Sequence, residues 1–404
     1  MPSAQELADR VESGDLRLYE LQDHADPKTA AEARRLLLKA ETDANLDTVA
    51  DFSFPAERAD PNIENMIGAA QIPMGVAGPV PVDGSAADDD FYVPLATTEG
   101  ALVASVNRGM AAIRDAGGAN AEVLKYGITR APVFSVADVK EAADVVEWVE
   151  DNEDQIEEVA NATDPHIEYQ EVTPYVVGDN VYLRLHYDTG DAMGMNMVTI
   201  ASRSVAELIE DETTASLVAV SGNLCNDKKP AAINAVEGRG YTVAADVFLP
   251  SDVVEARFGT TAEAIAEVNT RKNLVGSAKA GALGFNAHVA NILGAAFLAL
   301  GQDEAHVVDG SNAITSVEAR DDGLYASVTF SSLPVGTVGG GTGLPTQSEA
   351  LDVLGLAGGG GDPVGTNGDA LAEVIASAGL AGELSLLGAL AGRHLASAHE
   401  EHGR

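Results

Sequence analysis

The chain has 404 residues, of which 63 are Asp or Glu and 24 are Lys or Arg, so its formal net charge is -39. This charge repels phosphate backbones and anionic lipid, which disfavours nucleic acid and membrane surfaces as partners. The self-repulsion is muted at molar salt, where the screening length falls to about 3 Å, so we expect a salt-rich cytoplasm, with an acidic mesophilic protein as the alternative.

The N-terminal third begins with polar segments and then changes character. Residues 1–50 contain interspersed Ala and Leu, which predicts a helical arm, and they lack the apolar run of a signal peptide. Loops and short strands rich in Pro and Gly follow. The apolar spacing then predicts a helix that is buried along much of its length, capped by Thr97 or Thr98 and ended by Gly117.

The segment 132–219 has a pattern of its own, in which strands and helices alternate. A strand at APVFSV precedes an acidic amphipathic helix, two strands meet at the turn 178–180, and another helix follows. We therefore predict an α+β protein with a small domain, 132–219, inserted into a larger domain formed by 51–131 and 220–404. The larger domain is predicted to be mostly helical and built around a central buried helix, with 1–50 as the arm.

The remaining part of the chain, 220–404, alternates helices with glycine-rich loops. Its apolar stretch Val289–Gly301, taken as the longest in the chain, is shorter than the roughly 20 residues that cross a bilayer, so no membrane anchor is expected. Cys225 is the only cysteine, which excludes an intramolecular disulfide and favours a reducing compartment.

A lysine pair, Lys228 and Lys229, lies in the loop SGNLCNDKKPAAIN of this lysine-poor chain. A pair of surface lysines is most often solvated. Because selection for an acidic surface should remove idle lysines, this pair is nevertheless a candidate for function. A lysine in a closed site can stabilise a developing oxyanion, which is usually the largest electrostatic contribution in carbonyl chemistry.

Two carboxylates are candidates for the same chemistry. Glu99 lies at the predicted start of a helix, where the macrodipole favours the ionised form and opposes proton donation unless burial or another carboxylate intervenes. Asp303 follows an apolar helix that ends near Gly301, where the dipole disfavours negative charge. Asp303 is therefore either fully exposed or part of a cluster of carboxylates with a lysine.

Three of the eight histidines lie in the C-terminal sequence RHLASAHEEHGR. A zinc site of the HExxH type needs two histidines four residues apart, whereas His394 and His399 are five apart, so no metal site is expected. On a helix these two side chains point in different directions. The alternative to a functional role is that these imidazoles are solvated on an exposed terminal helix.

Two other stretches have a weak nucleotide-binding character. DAMGMNM, at 191–197, precedes a helix, and TVGGGTGLP, at 337–345, offers backbone N–H groups to a phosphate. Neither follows the strand-GxGxxG-helix pattern of a Rossmann unit.

Several motifs occur in a fixed order along the chain: ENMIGAAQIPMGVAGPV, TTEGALVASVNRG, TGDAMGMNM, SGNLCNDKKPAAIN and GFNAHVANI followed by GQD. Over roughly residues 60–400 they resemble the 3-hydroxy-3-methylglutaryl-CoA (HMG-CoA) reductase family. The loop NDKKPAAIN is similar to the NADPH-dependent class of eukaryotes and archaea, and the acidic composition suggests a halophilic archaeal member. The resemblance implies four-electron reduction of HMG-CoA to mevalonate and CoA with two NADPH, the committed step of isoprenoid biosynthesis, and a ferredoxin-like, NADPH-binding inserted domain.

Residue by residue, the resemblance implies four catalytic groups. Lys228 would stabilise the oxyanion of the mevaldyl-CoA hemithioacetal and then of the aldehyde, and Glu99 would donate a proton in the aldehyde step. Asp303 would link these two residues and tune both. His399 would protonate the departing CoA thiolate, whereas His394 has no counterpart role.

The resemblance also implies three groups of binding residues. The residues expected to hold the HMG portion, or to lie close to the catalytic cluster, are Arg130, Ser221, Asp227, Lys229, Lys272 and Asn291. The residues expected to contact CoA are Ser105, Asn107 and Arg108. The residues expected to contact NADPH are Asp191, Met195 and Asn196.

Members of this family are dimers or larger assemblies in which a neighbouring subunit completes each active site, so a homodimer or homotetramer is expected. We expect a cytoplasmic enzyme without membrane attachment. One alternative is a CoA- or nucleotide-binding regulatory protein that has lost catalysis, against which the presence of all four catalytic matches argues. Another is a degradative enzyme that runs toward HMG-CoA with NAD.

Overall fold

The structure is a computed structural model that describes residues 1–361 and 363–402, and the side chains of these residues except 393–402. It combines helices with mainly antiparallel strands, as predicted for an α+β protein. The described helices are α1 (Ala4–Glu12), α2 (Pro27–Thr42), α3 (Asp47–Ala50), α4 (Leu102–Asp115), α5 (Val139–Asp151), α6 (Glu153–Asn161), α7 (Met195–Glu212), α8 (Ala232–Glu237), α9 (Ser251–Phe258), α10 (Ala262–Val268), α11 (Ser277–Ala280), α12 (Val289–Leu300), α13 (Val307–Gly310), α14 (Pro345–Val353) and α15 (Thr366–His402). The described strands are β1 (Met74–Gly84), β2 (Asp88–Ala96), β3 (Ala119–Arg130), β4 (Val133–Ser135), β5 (Glu168–Val177), β6 (Asn180–Asp188), β7 (Ser216–Ala219), β8 (Gly240–Pro250), β9 (Ile314–Arg320) and β10 (Gly323–Leu333).

Strand β3 connects the two halves of the sheet. Its residues 120–127 pair with β8, which continues through β10 to β9, while its last residues, 128–130, pair with β6. The second half has the strand order β7-β4-β6-β5, is antiparallel throughout, and follows a β-α-β-β-α-β path along the chain. The larger part of the chain, predicted to be mostly helical, therefore also carries much of the sheet.

Separate hydrophobic clusters form the core. The largest cluster takes residues from 77 to 391, a second takes residues from 128 to 215, and a small third cluster joins α1 and α2. Apart from Ile128, the fully buried members of the second cluster fall within 132–219. The exact domain boundaries stay a prediction.

Helix α15 is the central helix of the largest cluster. Its segment Thr366–Gly392 is long and apolar enough to cross a membrane, but 83% of the apolar window is buried inside the molecule, as expected for a core helix. The identification of Val289–Gly301 as the longest apolar stretch was therefore wrong. Gly, Ala and Ser, together with two buried glutamates, interrupt the run of large apolar residues in α15, so its sequence does not stand out as a long apolar stretch.

These two glutamates, Glu373 and Glu383, fasten other elements to α15. Glu373 accepts backbone N–H groups from Ser85, Ala86 and Ala87 in the turn after β1. Glu383 accepts the N–H groups of Ala287 and His288 ahead of α12, and the hydroxyl of Thr315. Both side chains are fully buried, and such burial is tolerated because each carboxylate has several donors.

Helix α4 packs one face on α15 and leaves the other exposed. At Gly109 a Cβ atom would overlap the backbone of Ala381, so the close approach of the two helices requires glycine. The helix begins at Leu102, after Ala101 in the left-handed conformation, and Thr97 instead accepts the N–H of Glu99 ahead of the helix. The predicted cap at Thr97 or Thr98 was thus wrong, and Glu99 precedes the first turn.

Candidate functional site

A cavity of about 580 Å³ lies between the two larger hydrophobic clusters. Four stretches of the chain contribute most of its wall: the segment 192–197 ahead of and within α7, Lys228, the turn that contains Asp303, and the glycine-rich loop 338–342. Gln302 fastens this loop to the end of α12, since its side-chain amide bonds both the N–H and the C=O of Gly336. The cavity therefore brings together four stretches that were singled out in the sequence.

Lys228 and Asp303 form an ion pair at the cavity wall. The distance from Lys228 Nζ to Asp303 Oδ2 is 2.7 Å, and both side chains are partly exposed. Burial alone would raise the pKa of Asp303, but the hydrogen bond from Lys228, the charge of His306 and the N–H of Ala305 together lower it. Asp303 is therefore an ionised partner that keeps the ammonium oriented toward the cavity.

The loop that carries Lys228 has an unusual backbone. Asn223, Asn226 and Lys228 all adopt positive φ values, and that of Lys228 is 59°. A lysine in this region costs of order 1–3 kcal/mol and persists only when its surroundings hold it. One such contact is the backbone N–H of Lys228, which donates to Asp309 Oδ2 at 3.3 Å.

Asp227, the residue before Lys228, is held between two arginines. Arg239 Nη2 donates to Asp227 Oδ1 at 2.9 Å, and Arg130 Nη1 lies 3.6 Å from Oδ2. Arg130 is in turn fixed by Thr199 of α7, whose hydroxyl accepts from Nη2 at 2.6 Å. Lys229 is exposed, and its Nζ donates to the backbone oxygen of Asp227.

A buried group lies behind this loop. Arg239, His306 and Asp309 are fully buried, and Arg239 Nη1 donates to Asp309 Oδ2 at 3.2 Å. Asp227, His306 and Asp309 have the spacing of a metal site. Because Arg239 donates to both carboxylates and supplies the positive charge, the group has the character of an ion-pair network.

The start of α7 offers an anion-binding surface to the cavity. Gly194 takes the left-handed conformation at the cap, and Met195 and Asn196, the first helical residues, line the wall. The N–H groups of a first turn lack helical partners and attract phosphate. Opposite them, Gly339 and Gly340 have positive φ and open space around their Cα atoms, so a ligand can approach their backbone closely. These features fit the phosphates of a nucleotide cofactor.

Asp191, predicted to contact that cofactor, is buried and hydrogen-bonded to the backbone of neighbouring loops. It is 4% exposed; its Oδ2 accepts the N–H groups of Gly360 and Gly365 at 2.8 and 3.0 Å, and its Oδ1 that of Gly368 at 2.9 Å. Its backbone oxygen accepts the N–H of Thr337. Both carboxylate oxygens are thus occupied, and Asp191 ties the cavity loops to the N-terminus of α15.

Several predicted residues do not line this cavity. Among the described cavity-lining residues none is Glu99, Ser105, Asn107, Arg108, Ser221, Lys272 or Asn291. Glu99 and Asn291 are exposed, and Ser221 starts the Lys228 loop with its hydroxyl 3.8 Å from the sulfur of Cys225. Lys272 lines a second cavity of about 540 Å³ beside Leu390.

The three predicted CoA contacts lie on α4. Ser105 and Arg108 both bond the Ser385 hydroxyl on α15, at 2.9 and 3.1 Å. Asn107 accepts the N–H of Gly78. The side chain of His399 lies outside the described part of the chain, as does that of His394.

Sequence reasoning missed Arg239, His306 and Asp309. A signal was present for the last two, because they follow Asp303 at intervals of three residues, which brings side chains of successive turns to one face. Arg239 stands between two glycines in a chain poor in arginine, a weaker signal.

Comparisons with known proteins give a consistent result. The sequence profile described as hydroxymethylglutaryl-coenzyme A reductase matches residues 30–404. The 3-hydroxy-3-methylglutaryl-coenzyme A reductase of Haloferax volcanii is 65% identical over 404 residues, covering 100% of both chains. That of Halobacterium salinarum is 66% identical over 402 residues, covering 99% of both chains.

The solved structures give a likeness of fold. A class II 3-hydroxy-3-methylglutaryl-CoA reductase from Streptococcus pneumoniae, bound to NADPH in open conformations, matches with a TM-score of 0.67. The match covers 96% of this chain and 100% of that chain at 21% identity.

Proposed function

The chain belongs to the hydroxymethylglutaryl-CoA reductase family, and from this membership we propose that it reduces HMG-CoA to mevalonate and CoA with two NADPH. The observation that carries the proposal is the Lys228–Asp303 ion pair, at 2.7 Å, on the wall of a cavity that also contains the start of α7. The relatives from halophilic archaea agree with the salt-rich cytoplasm expected from the charge of -39.

Lys228 is the electrostatic catalyst of this proposal. Hydride addition to the thioester carbonyl places negative charge on its oxygen, and a fixed ammonium stabilises that charge more than the neutral carbonyl. Asp303 orients the ammonium, and the left-handed backbone at Lys228 fixes where the side chain starts. The same ammonium serves the second reduction, in which the aldehyde oxygen becomes an alkoxide.

The proton donors are assigned by the family resemblance. When the hemithioacetal collapses, its C–S bond breaks and the CoA thiolate takes a proton from His399. In the second reduction the alkoxide takes a proton from Glu99. Two protons and two hydrides therefore convert the thioester to an alcohol and a free thiol.

The anionic HMG portion requires cations near Lys228. Lys229 presents an exposed ammonium beside it, and Arg130 is held in place by Asp227 and Thr199. Ser221, and Lys272 from the wall of the second cavity, complete the set that the family resemblance implies. Retention of these cations in so acidic a chain has a physical reason, because each one faces a negatively charged ligand.

NADPH would be held by the first turn of α7, through Met195 and Asn196, and by the glycines at 339–341. When bound there it supplies the hydride. The β-α-β-β-α-β path and strand order β7-β4-β6-β5 support the assignment of 132–219 as the ferredoxin-like, NADPH-binding domain. The larger domain, 51–131 with 220–404, would then bind HMG-CoA.

The active site is proposed to form between two copies of the chain. Glu99 is exposed and does not line the cavity of Lys228, and the proposed CoA contacts Ser105, Asn107 and Arg108 also lie on α4 outside that wall. A second copy that supplied Glu99 and this face of α4 would complete the site. Mixing Glu99→Gln with Lys228→Ala subunits tests this: shared sites restore about a quarter of wild-type activity in the random mixture, whereas independent sites restore none.

The activity itself is tested with purified protein in molar KCl. Oxidation of NADPH that depends on HMG-CoA, with release of a free thiol, supports the proposal. Preference for NADH would favour the degradative enzyme. Tight CoA binding without oxidation of either cofactor would favour the regulatory protein and refute catalysis.

A further inference from the structure

One buried histidine, His306, has no role in the mechanism proposed above. It ends the short helical turn Glu304–His306 that follows Asp303, and its side chain is fully buried. Its Nε2 atom has no hydrogen-bond partner among the described residues, which is unusual for a buried polar atom. An unpaired buried nitrogen beside an ion pair calls for a reason.

The role of the Nδ1 atom of His306 follows from its neighbours. Its Nδ1 atom lies 2.8 Å from Asp309 Oδ2 and 3.3 Å from Arg239 Nη1. A carboxylate can only accept unless protonated, so the shorter contact requires that Nδ1 carries a hydrogen and donates it to Asp309, while Arg239 donates to the same carboxylate oxygen. The imidazole is thereby fixed with Nε2 directed away from Asp309.

The Nε2 atom faces two carboxylates of the proposed site. It lies 3.8 Å from Asp303 Oδ2 and 3.8 Å from Asp227 Oδ1. A bare lone pair there would be repelled by both oxygens, whereas an N–H is attracted to both. The charged groups facing the ring are Asp227, Asp303, Asp309 and Arg239, with Lys228 and Arg130 bonded to these carboxylates.

His306 therefore contacts both anchors of Lys228. Asp309 Oδ2, which accepts from the ring, also accepts the strained backbone N–H of Lys228. Asp303 Oδ2, which faces Nε2, is the oxygen that pairs with the Lys228 ammonium. The ring therefore lies between Asp309, which bonds the backbone N–H of Lys228, and Asp303, which bonds its ammonium.

We propose that His306 is a positioning residue for Lys228, which it holds through Asp309 at the backbone and through Asp303 at the ammonium. Because the ring also contacts Asp227, it helps to position the proposed HMG-binding residues. This inference rests on the proposed function, because it assigns His306 a part in the same reaction.

Two substitutions separate the two ends of the ring. His306→Asn keeps an amide N–H near the place of Nδ1, so the bond to Asp309 is retained and the link to Asp303 is lost. His306→Gln reaches toward the place of Nε2 and keeps that link. We expect His306→Asn to lower kcat by about 10- to 100-fold, the cost of misplacing a catalytic group by about 1 Å, and His306→Gln to recover part of the loss.

The pH–rate profile distinguishes positioning from a merely structural role. The charge of His306 helps to lower the pKa of Asp303, so removal of the ring should move the acid limb of kcat toward higher pH. His186→Asn is the matched control, because it removes another buried histidine outside the cavity lining. It should leave the acid limb in place, whatever it does to stability.

The outcomes are exclusive. Wild-type kcat and an unchanged acid limb in His306→Asn overturn the proposal, as does an equal loss in both His306 variants that tracks their unfolding midpoints. A wild-type enzyme that fails to oxidise NADPH in the same assay refutes the proposed function instead, so the two failures are distinguishable.

Discussion

Asp191→Asn tests whether this residue positions loops or contacts the cofactor. An asparagine keeps the shape of the side chain but replaces one accepting oxygen by an NH₂ group. If its oxygen stays opposite Gly360 and Gly365, the NH₂ group faces the N–H of Gly368, and two donors then oppose each other. The substitution therefore loses one bond outright and turns two charge-assisted bonds into neutral ones.

The expected cost follows from these three contacts. Leaving a buried donor unsatisfied costs about 1–3 kcal/mol, and a hydrogen bond to a charged group exceeds a neutral one by about 1 kcal/mol. We expect Asp191→Asn to lower the free energy of unfolding by about 3–5 kcal/mol, a large part of the roughly 5–15 kcal/mol available to a typical domain. The N–H groups of Gly360, Gly365 and Gly368 should exchange with solvent faster in the absence of any ligand.

The assay combines urea denaturation in molar salt with hydrogen exchange resolved to these three amides. Asp164→Asn is the control, because Asp164 also accepts one backbone N–H, from His166, but its contact is exposed. It should change stability by less than about 1 kcal/mol. Unchanged stability and exchange in Asp191→Asn, together with a strongly raised KM for NADPH, would refute the positioning role and support the direct contact predicted from sequence.

Three further outcomes are expected. Lys228→Ala should lower kcat by at least about 10²- to 10³-fold while HMG-CoA still binds weakly, because the oxyanion loses its cation. The neighbouring substitution Lys229→Ala should instead act mainly on KM. Near-normal turnover of Lys228→Ala would contradict the assignment of Lys228 to the oxyanion. Glu383→Gln should cost about 2–4 kcal/mol in urea denaturation, because an NH₂ group would face at least one of the donors Ala287, His288 and Thr315, whereas the exposed Glu318→Gln should cost less than about 1 kcal/mol. Burial, and then the charges of Asp188 and Glu373, raise the pKa of Asp369 to about 6. The folded state therefore keeps a proton that the unfolded chain releases near pH 4, so the stability contributed by Asp369 is present below about pH 4 and is lost as the pH rises through about 6. Asp369→Asn should flatten the pH dependence of the free energy of unfolding across that window. An unaltered pH dependence would contradict the role of this carboxyl.

The sequence predicted the local elements of the segment 132–219, because its strands and amphipathic helices have clear periodicities, but the single acidic helix expected there is divided at Asn152 into α5 and α6. It did not reveal α15 as the central helix, since small residues and the buried glutamates Glu373 and Glu383 weaken its apolar pattern. Those glutamates are satisfied by backbone groups far away in the chain, and no local rule anticipates such partners.

The candidate site was partly predictable for a similar reason. Lys228 and Asp303 stood out by composition and by position after a helix, and the structure pairs them. The hydrogen bonds of Asp191 were not foreseen, because its three partners come from a glycine-rich loop and the helix start 169 to 177 residues further along the chain. Arg239 and His306 were missed because only tertiary packing brings them behind the Lys228 loop.

The path of the backbone between the two clusters has a mechanical consequence. On one side the chain passes from β3 to β4 through two residues, within paired strands that resist bending. On the other side it returns through the loop 220–231, which carries the left-handed residues Asn223, Asn226 and Lys228. A rotation of the segment 132–219 relative to the rest of the chain would twist the first connection slightly and would be absorbed mainly by the second. Because this second connection carries Lys228, such a rotation would change the position of its ammonium relative to Asp303.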